Sequence, residues 1–260
     1  MSTRPATLIG MVHLGPLPGS PRARPMSEVI DAARRDARRL ADAGFGSLVV
    51  ENFGDAPFTG GTVEPVTVAA MARAIEAVKA EVGDLPVAAN VLRNDARSAL
   101  GLAAALELAA IRVNVHVGAR VTDQGLIEGR AWETARLRAA WAPDVAIWAD
   151  LRVKHSSPLG AERPIEEEAR EATGRGLADA VIVTGPGTGM AVDPLFITAA
   201  RAGGKPVLIG SGVDEETVAG LLALADGAIV GTATKEGGVT TAPVDPARAA
   251  AIVRAAGLAG

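Results

Sequence analysis

The segment PVLIGSGVDEETVAGLLALADGAIVGTATKEG, residues 206–237, contains two short apolar runs that each end in a glycine turn. The runs, 206–212 and 227–233, have the length and composition of buried strands. Between them lies a segment that begins with Asp214 and two glutamates, where negative charge favours the start of a helix. The segment therefore predicts two successive strand–helix units, the repeat of a parallel α/β fold.

The same alternation extends outward along the whole chain. Apolar runs predict eight strands, at residues 8–14, 46–53, 86–92, 111–117, 145–153, 180–185, 206–212 and 227–233. Helix boundaries are indicated by Gly44, a typical C-cap, and by Asp193 and Asp245, each followed by proline. Eight such units in 260 residues predict an α/β fold of the (β/α)8 TIM barrel class, as a single domain over residues 1–260.

The rival architecture is an open, doubly wound sheet. That fold normally uses fewer strands and opens with a G-x-G-x-x-G turn after the first strand. The first connection here, HLGPLPGSPRARP at residues 13–25, lacks this turn. The barrel is therefore the favoured architecture.

Composition excludes several classes of function. The 26 Lys and Arg against 30 Asp and Glu give a net charge of −4 without a basic block, so we expect no nucleic-acid partner. No apolar run approaches the roughly 18 residues of a membrane helix, so no membrane insertion is expected. The absence of cysteine rules out disulfides and thiolate sites. Without a secretory signal we expect a cytoplasmic protein, and a homo-oligomer remains open because barrels often dimerise.

Polar residues gather at the carboxyl ends of the predicted strands. Alternate side chains of a barrel strand face the interior, and chemistry in this fold occurs at those ends. The alternation predicts inward side chains at Glu51, Asn90, Asn114, His116, Asp150 and Lys154. All three histidines, His13, His116 and His155, lie at or just beyond a strand end, where each can equally be a structural residue.

These residue types suggest an acid–base site. Asp150 or Glu51 is the candidate general base, and His116 is the candidate acid because imidazole titrates near neutral pH. Asn90 and Asn114 are candidate donors to a developing oxyanion.

Other candidates are less sharply defined. Lys154 can form a Schiff base if its pKa is depressed, and Lys235 is an equal candidate. His13 belongs to the same catalytic set, whereas His155 is expected to contact substrate. A divalent metal between the histidines and carboxylates remains an alternative, but no pair has tight ligand spacing, so no cofactor is firmly implied.

The two glycine turns predict a phosphate site. Barrels often bind phosphate between the loops after strands seven and eight, where exposed amide N–H groups approach an anion. The expected ligands are Ser211, Gly212, Gly231, Thr232 and Lys235, with Thr184, Thr188 and Gly189 in a loop that closes over the ligand. The alternative is that these glycines only form tight turns.

Several motifs along the chain resemble the BtpA/SgcQ family. They are MVHLGPLPG (11–19), VENFGDAPF (50–58), NVLRNDA (90–96), VNVHVGA (113–119), ADLRVKHSSPL (149–159), IVTGPGTG (182–189), GSGV (210–213) and ADGAIVGT (225–232). The resemblance implies a TIM barrel similar to phosphate-binding ones, of the ribulose-phosphate-binding-barrel type. One branch of the family is linked by name to photosystem I biogenesis, and another lies among sugar-uptake genes.

Together these features predict an enzyme that acts on a small phosphorylated sugar or ribosyl-phosphate, nucleotide-like metabolite. The expected reaction is isomerisation, carbon–carbon cleavage or hydrolysis at the C-terminal face of the barrel. The alternative is a non-catalytic assembly or stability factor of the photosystem I biogenesis type, or a metabolite-binding module.

Overall fold

The protein forms a closed barrel of eight parallel strands in a computed structural model that describes residues 7–185 and 192–258. The strands of the described residues are β1 (Thr7–His13), β2 (Ser47–Glu51), β3 (Val87–Asn90), β4 (Ala110–Val113), β5 (Ala119–Thr122), β6 (Gly125–Glu128), β7 (Ala146–Leu151), β8 (Ser156–Pro158), β9 (Ala180–Val183), β10 (Val207–Ile209) and β11 (Gly227–Val230), of which β5, β6 and β8 lie outside the barrel. The barrel order is β1-β2-β3-β4-β7-β9-β10-β11, closed by the pairing of β11 with β1. All eight predicted strands are present, and the (β/α)8 fold is confirmed.

The helices that cover the barrel are α1 (Met26–Ala43), α2 (Pro65–Val82), α3 (Ala96–Leu106), α4 (Ala131–Trp141), α5 (Ile165–Arg170), α6 (Pro194–Ala200), α7 (Val218–Leu222) and α8 (Pro246–Ala255). The predicted helix ends are confirmed. Gly44 ends α1 with a φ of 98°, while the Asp193 and Asp245 carboxylates accept backbone N–H bonds at the starts of α6 and α8. Among the described helices, none is long and apolar enough to cross a membrane.

Two apolar layers follow from the alternation of side chains along each strand. The barrel interior contains Ile9, Met11, Val49, Ile182, Leu208 and Ile229. The alternate residues, including Leu8, Val12, Val50, Ile111, Ile147 and Val181, pack against the helices. The apolar interior supports a layer of polar residues at the carboxyl ends of the strands.

A three-stranded antiparallel sheet, in the order β6-β5-β8, was not predicted from the sequence. Its strands have three or four residues and are mostly solvent-accessible, so they lack the apolar runs by which buried strands are recognised. Beneath it, Val115, Ile127 and Val153 form a small separate core. The sheet is built from the segments that follow β4 and β7, and those two strands therefore end earlier than predicted.

Candidate active site

A row of polar residues crosses four neighbouring strands at their carboxyl ends. The strand register pairs His13 with Glu51, Glu51 with Asn90, and Asn90 with Arg112. Glu51, Asn90 and Arg112 are all buried. Since burying charged and polar groups is costly unless they are paired, their arrangement has to be explained by the contacts they make.

A cavity of about 400 Å³ lies above this row. The segments at and after β1, β2, β3, β4 and β7 contribute His13, Glu51, Arg93, Arg112, Asn114 and Lys154 to its lining, together with His155. The segments after β10 and β11 contribute Ser211, Gly212, Gly231 and Thr232. The predicted catalytic and phosphate-binding segments therefore meet in a single cavity.

Arg112 and Asp150 form a buried ion pair beside this cavity. Arg112 Nε and Nη2 donate to the two carboxylate oxygens of Asp150 at 3.0 Å each. A third hydrogen bond comes from Asn114 Nδ2 at 2.6 Å. Because both oxygens of Asp150 are bound to protein donors and the residue does not line the cavity, its geometry favours a positioning role over that of the expected general base.

Two asparagines extend the same network. Asn90 Nδ2 donates to the carbonyl of Arg112 at 3.0 Å and to Asn114 Oδ1 at 3.1 Å. Both N–H bonds of the Asn90 amide are therefore occupied, which leaves none for an oxyanion. Asn114 reaches the cavity, but one of its N–H groups is bound to Asp150. The network fixes the position of the Arg112 guanidinium.

Arg112 was not recognised in the sequence. It precedes Asn114 by two residues, so the alternation that placed Asn114 inside the barrel applies to it as well. A basic residue inside an apolar strand was the available signal. Its pKa is raised despite burial, because the Asp150 and Glu51 carboxylates stabilise its charge.

Glu51 and Lys154 have shifted pKa values on the cavity wall. Burial raises the pKa of the Glu51 carboxyl, although the charges of Arg112 and Lys154 oppose this. Burial also lowers the pKa of the Lys154 ammonium, as does the charge of Arg112. The two shifts favour the neutral carboxyl and the neutral amine, the forms that can donate a proton and act as a nucleophile or base.

His13 stays neutral at the end of β1. Burial lowers its pKa to about 3, and the positive charges of Lys235, Lys154 and Arg112 add to the effect. Its ring lies edge-on to Phe53 with a centroid distance of 4.9 Å. No described residue is hydrogen-bonded to its buried Nδ1. The ring can therefore serve as a neutral hydrogen-bonding group, but not as a cationic acid near pH 7.

His116 lies outside this cavity, contrary to expectation. The strand β4 ends at Val113, so the alternation does not continue to His116. Its Nε2 lies 2.7 Å from the carbonyl of Gly176, and the residue lines a separate cavity beside Trp132. This placement favours a structural role for His116 over that of the expected proton donor.

Lys235 is also placed differently from the sequence expectation. Its ammonium is buried and forms an ion pair with Asp36 of α1. Asp36 in turn accepts the backbone N–H of Val244. The side chain therefore links α1 to the segment before α8, and it is not part of the cavity lining.

The glycine turns present unpaired polar groups to the cavity. Within residues 7–185 and 192–258, no hydrogen-bond acceptor is paired with the backbone N–H of Gly212, Thr232 or Ala233. The buried Ser211 hydroxyl likewise has no partner there. Arg248 of α8, missed in the sequence, lines the same region and donates to the carbonyl of Ala233 at 2.9 Å. N–H groups and a nearby guanidinium are suited to an anion.

The remaining predicted ligands are distributed as follows. Thr184 donates to the carbonyl of Arg152 at 3.3 Å and is not part of the cavity lining. Thr188 and Gly189 lie outside the described residues. Among the residues that are described, no three His, Asp or Glu side chains form a group that could hold a metal ion.

Fold and site define a class of protein: a (β/α)8 barrel with a cavity lined by charged residues at the carboxyl ends of its strands. Within that class the chain belongs to the BtpA family, whose model matches residues 4–257.

Known proteins similar to this chain cover nearly all of it. The photosystem I biogenesis protein BtpA of Synechocystis is 42% identical over 95% of this chain and 87% of that protein. An uncharacterised protein of Pyrococcus horikoshii is 43% identical over 95% of this chain and 94% of its own. Phosphoribosyl anthranilate isomerase from Thermus thermophilus superposes with a TM-score of 0.59 at 13% identity, covering 96% and 97% of the two chains, which is a likeness of fold.

Proposed function

We propose that the protein is an enzyme that acts on a small phosphorylated sugar or ribosyl phosphate. The observation that carries the proposal is the single cavity in which unpaired turn amides face the same space as Glu51, Arg112 and Lys154. One end of this space suits an anion and the other suits proton transfer. The fold shared with phosphoribosyl anthranilate isomerase supports a ligand of this size and charge.

The phosphate end of the ligand is assigned to the turns after β10 and β11. The N–H groups of Gly212, Thr232 and Ala233, with the Ser211 hydroxyl, would bind the phosphate oxygens. Arg248 would add positive charge. Binding energy from the phosphate would then hold the reacting carbons above the polar row.

The reactive end is assigned to Glu51 and Arg112. Glu51 would donate or accept the proton, since burial raises its pKa and makes the protonated carboxyl easier to form than in water. Arg112, held in place by Asp150, would stabilise negative charge that develops on a substrate oxygen. These roles fit isomerisation, carbon–carbon cleavage or hydrolysis.

A thermal-shift comparison tests the proposal. Ribose 5-phosphate should raise the melting temperature of the wild-type protein more than ribose does at the same concentration. Ser211→Asp places a carboxylate at the phosphate end and should remove the difference. Ser27→Asp, an exposed position on α1, is the matched control and should retain it. Equal shifts with both sugars would overturn the phosphate assignment.

A second candidate function is that of an assembly factor. It is favoured by the 42% identity to a relative named for photosystem I biogenesis. In that case the cavity would be a regulatory ligand site or have no ligand. Stabilisation by phosphorylated sugars without turnover would favour this candidate over the enzyme.

A cytoplasmic location and self-association stay predictions from the sequence. Size-exclusion chromatography with light scattering measures the second directly.

A further inference from the structure

We infer that Lys154 forms a Schiff base with a carbonyl carbon of the substrate. The substrate class is then a phosphorylated ketose or aldose in its open-chain form, and the reaction passes through an imine. This inference rests on the proposed function, because the same cavity must hold the phosphate. It goes further in naming the reacting atom of the protein and the functional group of the substrate.

Lys154 lies on the wall of the cavity that is proposed to hold the substrate. It follows the end of β7 by three residues and lines the cavity together with Glu51 and Arg112. Its backbone carbonyl accepts a hydrogen bond of 2.6 Å from Arg93 Nη2, which anchors the segment that carries the side chain. Arg93 itself comes from the loop after β3, so two strand ends position this lysine.

The other three lysines of the chain do not line the cavity. Lys79 donates to the carbonyls of Leu106 and Glu107 beside α3, and Lys205 is exposed in the connection before β10. Lys235 is buried in its ion pair with Asp36. The sequence left Lys154 and Lys235 as equal candidates, and their positions in the structure separate them.

The surroundings of Lys154 favour its neutral amine. Desolvation lowers its pKa most, followed by the positive charge of Arg112, while Asp150 and Glu51 oppose the shift and Arg93 adds to it. A neutral amine is the form that attacks a carbonyl. Cationic neighbours and partial burial are the two means by which proteins increase the neutral fraction of a lysine.

The chemistry balances with Glu51 as the proton carrier. Neutral Nζ attacks the carbonyl carbon, a C–N bond forms, and the carbonyl oxygen takes the proton that leaves nitrogen. The carbinolamine then receives a proton from the Glu51 carboxyl and loses water, which leaves an iminium ion and a Glu51 carboxylate. That carboxylate can remove a proton alpha to the iminium carbon to give an enamine and a protonated Glu51. Return of the proton from Glu51 to carbon regenerates the iminium ion, and water then adds to it, releases the carbonyl compound and restores the Lys154 amine.

Reductive trapping tests the inference. The full chain is incubated at neutral pH with dihydroxyacetone phosphate or ribose 5-phosphate and sodium cyanoborohydride, then digested and mapped by mass spectrometry. We expect an adduct on Lys154 that adds the mass of the sugar phosphate less one oxygen atom. Lys154→Arg should lose this adduct, whereas Lys205→Arg should retain it.

The outcomes distinguish this inference from the proposed function. Stabilisation by ribose 5-phosphate without an adduct on Lys154 would overturn the Schiff base and leave the phosphate site intact. Equal labelling of Lys205 and Lys154 would also overturn it, because that pattern indicates non-specific glycation. If ribose 5-phosphate neither stabilised the wild-type protein nor formed an adduct with it, the proposed function itself would be rejected. The pH is also lowered from 9 to about 7. If trapping at Lys154 is then faster than trapping at Lys205, the result supports a lowered pKa of the Lys154 ammonium.

Discussion

Arg112 on β4 and Asp150 on β7 are joined by two hydrogen bonds of 3.0 Å inside the barrel, and Asn114 and Asn90 complete the network around them. The pair lies above an apolar interior and below a cavity. A buried pair of this kind contributes little to net stability, because desolvation offsets the attraction. Its value lies in holding a guanidinium in one orientation beside Glu51.

Asp150→Asn should destabilise the protein by about 3–5 kcal/mol, since it leaves the buried Arg112 charge without a carboxylate. Urea unfolding measures the free energy directly. Asp31→Asn, on the exposed face of α1, is the matched control and should change it by less than about 0.5 kcal/mol. If the two variants had the same free energy of unfolding, the Arg112–Asp150 contact would not contribute to the stability of the protein.

The Lys235–Asp36 pair predicts a non-additive result. Lys235→Met alone leaves Asp36 buried without its cation and should cost about 3–5 kcal/mol, while the double variant with Asp36→Leu should recover part of that loss. A double-mutant cycle measured by urea unfolding gives the coupling. Provided it folds, the double variant should keep the stabilisation by ribose 5-phosphate. Loss of that response would indicate that Lys235 takes part in binding the phosphate.

Sequence periodicity predicted the eight barrel strands because apolar runs are long enough to identify buried parallel strands. It predicted the positions of Glu51 and Asn90 for the same reason, since both lie inside their strands. It was wrong for His116, because whether a strand continues past Val113 depends on the antiparallel sheet that begins at Ala119. That sheet depends on tertiary pairing between short, exposed segments, which has no strong local signal.

The role of Lys235 could not be predicted from the sequence, for a different reason. Its partner Asp36 is 199 positions away, and a lysine just past a strand end has the same local sequence whether it faces a ligand or a helix. Arg248 was missed similarly, because it reaches the glycine turns only once α8 packs against the barrel.

Gly231 packs closely against the ring of His13, and a third prediction follows from this contact. A Cβ atom at Gly231 would lie 2.8 Å from His13 Cε1, so Gly231→Ala must displace the imidazole. We expect a loss of about 1–3 kcal/mol in unfolding free energy, as for other overpacked sites. Gly61→Ala is the control, because no described residue apart from its two chain neighbours has an atom within 4 Å of the added methyl, and it should stay within about 0.5 kcal/mol of wild type.

Glu51 makes the protein's stability depend on pH in a defined direction. Burial raises its folded-state pKa above the ordinary 4.5, so the native state binds more protons than the unfolded state in the interval above 4.5. The stability contributed by this group is complete below that pH and is lost as pH rises through the folded pKa. Glu51→Gln cannot ionise and should avoid this loss.

Glu51→Gln should therefore be more stable than wild type near pH 8, and the difference in unfolding free energy should shrink as the pH falls towards 4.5. Urea unfolding across this pH range measures the difference. Glu76→Gln, an exposed change on α2, should track wild type. The same Glu51 variant should lower turnover of a responsive sugar phosphate by about 10²–10⁴-fold, the usual contribution of a general acid–base group. A gain in stability with full turnover would make Glu51 a buried acid outside the reaction, and the proton would have to come from another group on the cavity wall.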